Sequence, residues 1–351
     1  MRVSRRSTSI GAAALVVVLL SALAALVGTS SSKASPKASN ATFLASLISD
    51  IGKFNDRSFN QSQLEGLKRA QRLLGVRIKP LQSNSTSDYI PNFSTAIRAK
   101  SNITIAAGFL LADTVETVAD KFPKSKFAIT DYPVEIDPFA DKKGTPLFKN
   151  VEGLTYAANE SGCLVGVLAA KMAQKMGGNV IGAVGGIKIF PVDIWIAGYQ
   201  YCAKKAVPGI KVVTGYSQDF VASDKCKTVA QNLINQGAKV LFQVAGLCGL
   251  GTLKAADDAG IWGIGVDKDQ YNDAKRVLTS GVKRVDNGVY QAVQQEQEGK
   301  FKGGSDLLFN LKNGGMSVGK INPAVPKAFI DKMNELKQKI ISGQVKVPAT
   351  L

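Results

Sequence analysis

The 351-residue chain contains no histidine. That absence removes Ser-His-Asp triads, imidazole metal ligands and imidazole general bases together. Cysteine is scarce: there are four, and the first stands at position 163. A lipid-modified cysteine just behind an N-terminal apolar leader is therefore excluded. Acidic residues are missing from positions 1–40, which hold five basic ones (Arg2, Arg5, Arg6, Lys33 and Lys37). The body lacks a metal-ligating cluster of the D-x-D-x-x-x-D-D kind in its first loop, which argues against a metal-dependent hydrolase, and no catalytic machinery is expected. Gly314-x4-Gly319-Lys320 imitates a phosphate-binding loop. Ile321 stands where such a loop needs Ser or Thr, so magnesium would lose its ligand and no nucleotide cofactor is expected.

Against these absences, 44 Lys and Arg oppose 27 Asp and Glu, a formal charge of +17. No compact basic helix or aromatic-interleaved basic patch accompanies the charge, so it reads as a solvated basic surface with no nucleic-acid partner. Hydrophobic residues make up 45% and charge is interspersed, a globular composition. At the N-terminus, basic residues precede the apolar run Ile10–Val27, and Ser, Lys, Ala and Pro follow to about residue 40. This order describes an export signal. The run is at the lower edge of what spans a bilayer, so an uncleaved anchor through residues 10–27 is the alternative. The body is then expected outside the cytoplasm, at the cell surface or in the periplasm. In that oxidising setting the four cysteines can pair, and Cys202–Cys226 with Cys163–Cys248 is the preferred pairing over buried free thiols.

Beyond residue 40, short β-branched runs alternate with amphipathic helical stretches. Strands are expected at 43–49, 76–81, 103–107, 127–130, 153–156, 180–184, 211–216, 240–244, 262–266 and 277–282. Helices are expected between them, the last spanning 326–342. Gly75 and Gly237 serve as helix stops, and Pro123 and Pro208 lie just past helix ends. Strand–helix alternation of this kind builds parallel sheets. Ten strands divide better into two sheets than one. The expected division puts 41–157 and 268–310 in a first lobe and 158–267 and 311–351 in a second, after a leader of residues 1–40.

Ligands in such sheets sit beyond the carboxyl ends of the strands. The residues that follow the strands are Asp50, Gly108, Asp131, Gly185-Gly186, Ala245-Gly246, Asp267 and Lys283-Arg284. Carboxylates, small residues and a cation thus converge on one crevice.

The first of these loops reads Asp50-Ile-Gly-Lys-Phe-Asn55-Asp56-Arg57-Ser58-Phe59-Asn60. It resembles the D-x-G-x-x-N-D-x-S-F-N signature of the basic membrane protein family of ABC-importer receptors. Four further stretches agree in order: Phe127–Asp131; Gly185-Gly186 with Pro191-Val192 and Gly198-Tyr199; Phe242–Gly246 with Gly249–Gly251; and Gly265–Gln270 with Val277–Ser280 and Lys283–Asp286. The departures are Lys53-Phe54 for a Gly-Gly pair, Leu247-Cys248 for two small residues, and Asp193 where a basic residue is usual.

The resemblance implies a type I periplasmic-binding-protein fold: α/β, with two parallel-sheet Rossmann-like lobes joined by a multi-strand hinge. It implies a monomeric receptor that closes on a small molecule, a purine nucleoside above all, and works with the permease subunits of an ABC importer. Phe59 would stack on one face of the base and Trp195 on the other. Asp131 would accept hydrogens from the base edge, with Asp50 and Asn55 nearby. Asp267 and Lys283 would hold the ribose, and Gly246 would offer backbone groups. The alternatives are a sugar receptor, with the two aromatics clamping a pyranose, and a membrane-tethered sensory or regulatory binding protein. Asp56 is expected to cap the helix that starts at Ser58.

Overall fold

The computed structural model describes residues 42–351; the leader and the anchor reading fall outside them. The strands are β1 (Leu44–Ser49), β2 (Arg77–Leu81), β3 (Ile103–Ala107), β4 (Phe127–Thr130), β5 (Val151–Tyr156) and β6 (Val180–Gly185). They continue with β7 (Lys211–Tyr216), β8 (Val240–Val244), β9 (Trp262–Asp267), β10 (Val277–Lys283), β11 (Asp306–Phe309) and β12 (Met316–Val318). The α-helices are α1 (Phe59–Leu74), α2 (Tyr89–Arg98), α3 (Ala112–Lys121), α4 (Ala158–Lys175) and α5 (Phe190–Ala206). After them come α6 (Ser223–Asn235), α7 (Gly249–Asp258), α8 (Val285–Gln297) and α9 (Lys327–Ile341).

The local chemistry explains these limits. The core strand β3 reads Ile-Thr-Ile-Ala-Ala and is buried throughout, as a central strand covered on both faces must be. Helix α1 buries Leu67, Ala70 and Leu74 and stops at Gly75, whose left-handed φ of 69° lets its N–H bond back to Gln71.

The strands form two six-stranded sheets, ordered β11-β5-β4-β3-β1-β2 and β12-β10-β9-β8-β6-β7. The order of β1–β5 recurs in β6–β10 with each strand number raised by five, so β1 corresponds to β6, β3 to β8 and β4 to β9, and β11 and β12 are added at the matching edges. Pairing is parallel except for β12, which runs antiparallel to β10. In both sheets the order reverses between the first and third strands, and that switch point opens a crevice at the carboxyl ends.

The expected strand Val277–Val282 is present as β10, but not in the first lobe. It pairs with β9 in register Gly281↔Val266 and belongs to the second sheet. The return to the first lobe comes one element later: α8 packs on α1, and β11 pairs with β5. The chain then crosses back into β12. Three segments therefore join the lobes, after Tyr156, after Lys283 and after Phe309. The edge strands β11 and β12 were missed because they are short, four and three residues, and lie beside Gly-rich turns. Gly314, the core of the phosphate-loop imitation, is in the turn between them.

The disulfides also differ from the expected pairing. Cys163 is bonded to Cys202, and Cys226 to Cys248. The first bond follows from how α4 and α5 pack: a Cβ at Gly162, Gly166 or Gly198 would lie 2.0–2.4 Å from backbone oxygens of the facing helix. The two helices touch at their backbones and bring Cys163 against Cys202. The second bond ties α6 to the loop after β8, because α6 packs against α7.

Candidate functional site

The crevice between the sheets closes over a cavity lined by Asp50, Gly52, Asp56, Phe59, Asn60, Gly108, Phe109, Leu110 and Asp131 from the first lobe. From the second come Ile189, Pro191, Val192, Trp195, Phe220, Val244, Ala245, Gly246, Asp267 and Lys283. The cavity volume is about 80 Å³. Seven of the eight residues expected from sequence line it. The exception is Asn55, which is exposed on the loop. Its neighbours Asp56 and Asn60 point inward in its place.

The loop before α1 explains why. Asp56 accepts hydrogen bonds from the backbone N–H of Ser58 (2.9 Å), Asn60 (2.8 Å) and Gln61 (3.0 Å). It therefore caps the helix, as expected, from two residues upstream of the cap position. Ser58 is freed from capping, and its Oγ donates instead to Asp267 Oδ2 of the other lobe at 2.7 Å. Asn60 Nδ2 donates to Asp50 Oδ1 (2.8 Å) and Asp56 Oδ2 (3.3 Å), which fixes the amide's orientation. Its Oδ1 then faces the cavity, buried and without a partner. That unfilled acceptor was missed at the sequence level, because the orientation of the amide depends on its bonds to Asp50 and Asp56.

Phe59, at the first position of α1, is half-buried. Room for its ring comes from Gly108, where a Cβ would meet Phe59 at 2.9 Å and φ is +123°. Trp195 is 1% exposed, packed edge-on to Phe242 with centroids 6.0 Å apart and backed by Gly281. Phe220 is a further second-lobe aromatic on the wall that was not foreseen. It is half-buried beside Gly186 and Gly246. Its loop, between β7 and α6, carries no repeating pattern that would flag it.

Lys283 sits at the centre. Only 3% of its side chain is exposed, and its Nζ lies 2.6 Å from Asp131 Oδ2 and 3.6 Å from Asp267 Oδ1. The same ammonium lies 4.7 Å from the Phe59 ring centroid, 5.6 Å from that of Tyr156 and 5.9 Å from that of Trp195. Asp267 ends β9 and Asp131 directly follows the corresponding strand β4, and both adopt left-handed φ, 64° and 62°. Such backbone strain is retained where surrounding structure enforces it, often at functional sites.

Electrostatics follow from burial. Desolvation raises Asp50 to about 6, with repulsion from Asp56 and Asp131 adding to it and bonds from Gly52 and Asn60 opposing it. Asp56 is likewise raised to about 6 by burial, against three backbone N–H bonds. Burial raises Asp131, and Lys283 pulls it back only in part. Burial works against the charge on Lys283, but Asp131 and Asp267 outweigh it and its pKa is raised. Four carboxyl groups and one ammonium thus surround an aromatic-walled slot. Among the described residues no group of His, Cys, Asp or Glu has metal-holding geometry. No helix among them is long and apolar enough to cross a membrane.

Comparison with known proteins agrees with this architecture. The family model for ABC transporter substrate-binding proteins of the PnrA-like type, Bmp, matches residues 44–350. A CD4+ T-cell-stimulating antigen of Listeria monocytogenes is 31% identical over 332 residues, covering 88% of this chain and 89% of the relative. The ABC transporter nucleoside-binding protein BmpA of Lactococcus lactis is 32% identical over 360 residues, covering 96% and 98%. The crystal structure of an ABC transporter solute-binding protein from Aeropyrum pernix superposes with a TM-score of 0.76 at 26% identity, over 87% of this chain and 94% of that one. With its two-lobed type I binding fold and a family match spanning nearly every described residue, the chain belongs to the Bmp family of ABC transporter substrate-binding proteins.

Proposed function

We propose that the protein is a monomeric extracytoplasmic receptor that closes its lobes on a purine nucleoside and presents it to the permease subunits of an ABC importer. The observation that carries this reading is the slot beside Phe59, walled by Trp195 and Phe220 on the other lobe and edged by carboxylates. Stacking against aromatic faces suits a planar base. Asp131 and Asp50 are acceptors for ring N–H and exocyclic amino groups, and Asn60 Oδ1 is a third acceptor in reach of the same edge. Asp267 and Lys283 suit vicinal hydroxyls of a ribose, the former accepting and the latter donating. The nucleoside named for the Lactococcus lactis relative supports the same ligand class.

The mechanism needs no bond chemistry. Ligand contacts on both lobes select the closed arrangement, and the importer reads the closed rim. Calorimetry with guanosine, inosine and adenosine tests this, with submicromolar to micromolar binding of at least one expected. Heat from a pentose or hexose and none from any nucleoside would replace the reading with a sugar receptor.

A further inference from the structure

The surplus of positive charge is not shared between the lobes. Residues 42–156 and 285–309 hold 17 basic and 16 acidic residues, whereas 157–284 and 310–351 hold 22 and 11. The first lobe is nearly neutral and the second carries a surplus of eleven. Part of that surplus is gathered around a groove between α9, the α4–α5 pair and the C-terminal segment. Lys171, Lys205, Lys332, Lys339 and Lys346 line it. Four of the five are exposed, and Lys171 is half-buried. The one carboxylate that lines it among the described residues, Glu335, is engaged by Lys332 at 3.1 Å. The Lys171 and Lys205 ammonium groups lie 5.6 Å and 4.9 Å from the ring centroids of Phe329 and Tyr201, contacts that involve no carboxylate. The groove has no part in the crevice, since none of its residues lines the cavity there.

We infer that this groove is a docking surface for anionic phospholipid headgroups, which holds the receptor at the membrane by its second lobe. Two observations select the occupant. The groove is a concave cluster of ammonium groups with its only acid already paired, complementary to phosphate. The chain belongs to a family that serves a membrane importer, so the extended anionic surface it meets is a bilayer leaflet. The inference rests on the family and the charge distribution, not on the nucleoside reading.

Vesicle sedimentation of the full chain tests it, with phosphatidylcholine alone or mixed with phosphatidylglycerol. Binding is expected to need phosphatidylglycerol and to fall as salt rises. The triple variant Lys205→Glu, Lys332→Glu, Lys339→Glu should lose at least about tenfold in partitioning. The neutral triple to Gln should lose less. A first-lobe control with the same change in net charge, Lys121→Glu, Lys124→Glu, Lys142→Glu, should stay within about twofold of the parent. Because every variant keeps the same N-terminus, any contribution from the leader cancels. Equal losses in the two Glu triples would reduce the effect to net charge and overturn the proposal. So would binding indifferent to phosphatidylglycerol, or tighter capture of heparin or DNA than of vesicles by this groove. Nucleoside calorimetry on the same variants should be unchanged, which separates failure here from failure of the ligand reading.

Discussion

Phe59 lends itself to a clean test at the scale of single residues. It is half-buried and lines the cavity from the first turn of α1, so Phe59→Ala removes a stacking face with little loss of core. Nucleoside affinity should fall about tenfold or more, in line with about 1–3 kcal/mol per stacked base, read by calorimetry. Trp195 is less suitable, because truncating a side chain 1% exposed also opens a core cavity. Asp50 sets a pH dependence. Its folded pKa is about 6, and ligand donors favour its ionised form, so binding releases a proton when it starts protonated. Affinity should therefore be full above about pH 7 and weaken several-fold by about pH 5. Asp50→Asn should flatten that profile.

Glu152 on β5 is a second residue-scale case, far from any ligand role. It is 1% exposed, its Oε2 has no partner, and burial raises it to about 7, with Asp306 and Glu296 adding and Lys302 opposing. A carboxyl whose folded pKa exceeds its unfolded value of 4.5 binds more protons when folded. Stability from this group is thus lost as pH rises from the unfolded pKa through about 7. Glu152→Gln should remove that loss, stabilising the protein by roughly 2–3 kcal/mol near pH 8 and by little near pH 5, measured by urea denaturation.

At the scale of elements, the tightest constraint is the α4–α5 contact. Alanine is a better helix former than glycine by about 1 kcal/mol, yet a Cβ at Gly166 would sit 2.4 Å from the Tyr199 carbonyl oxygen. Packing should win: Gly166→Ala is expected to lower the urea midpoint, with a loss of about 2 kcal/mol or more. The same contact positions Cys163 and Cys202. Replacing both with Ser should cost roughly 2–4 kcal/mol, given the 39-residue separation the bond closes. The expected strands and helices were found within a few residues of their sequence limits, because apolar periodicity and the Gly and Pro stops are local signals. Disulfide partners were not legible, since the α4–α5 approach depends on glycines whose meaning appears only when the facing backbone is in place.

The whole molecule is held shut by bonds that run from lobe to lobe. Ser58 meets Asp267, Arg57 meets Asp273 at 2.7 Å, Lys268 meets Glu65 at 2.6 Å, and Lys283 meets Asp131. The exposed pairs are each worth little. The buried Lys283 pair is different, because removing one member strands a charge. Lys283→Met should leave Asp131 unpaired and abolish measurable nucleoside binding. Small-angle scattering should then show no contraction on adding a nucleoside, whereas the parent protein contracts. Contraction of the variant equal to that of the parent would remove Lys283 from the closing mechanism.

Fold class, family and seven of the nineteen residues that line the cavity were written in the linear chain, because they depend on periodicity, on motifs and on which residues end each strand. Tertiary structure alone assigned β10 to the second lobe, turned Asn55 outward and Asn60 inward, brought in Phe220, and chose the cysteine partners. Each of those outcomes turns on contacts between segments distant in sequence. A strand's own residues state that it is a strand, but only its neighbours' hydrogen bonds and the space left by facing glycines settle where it lies.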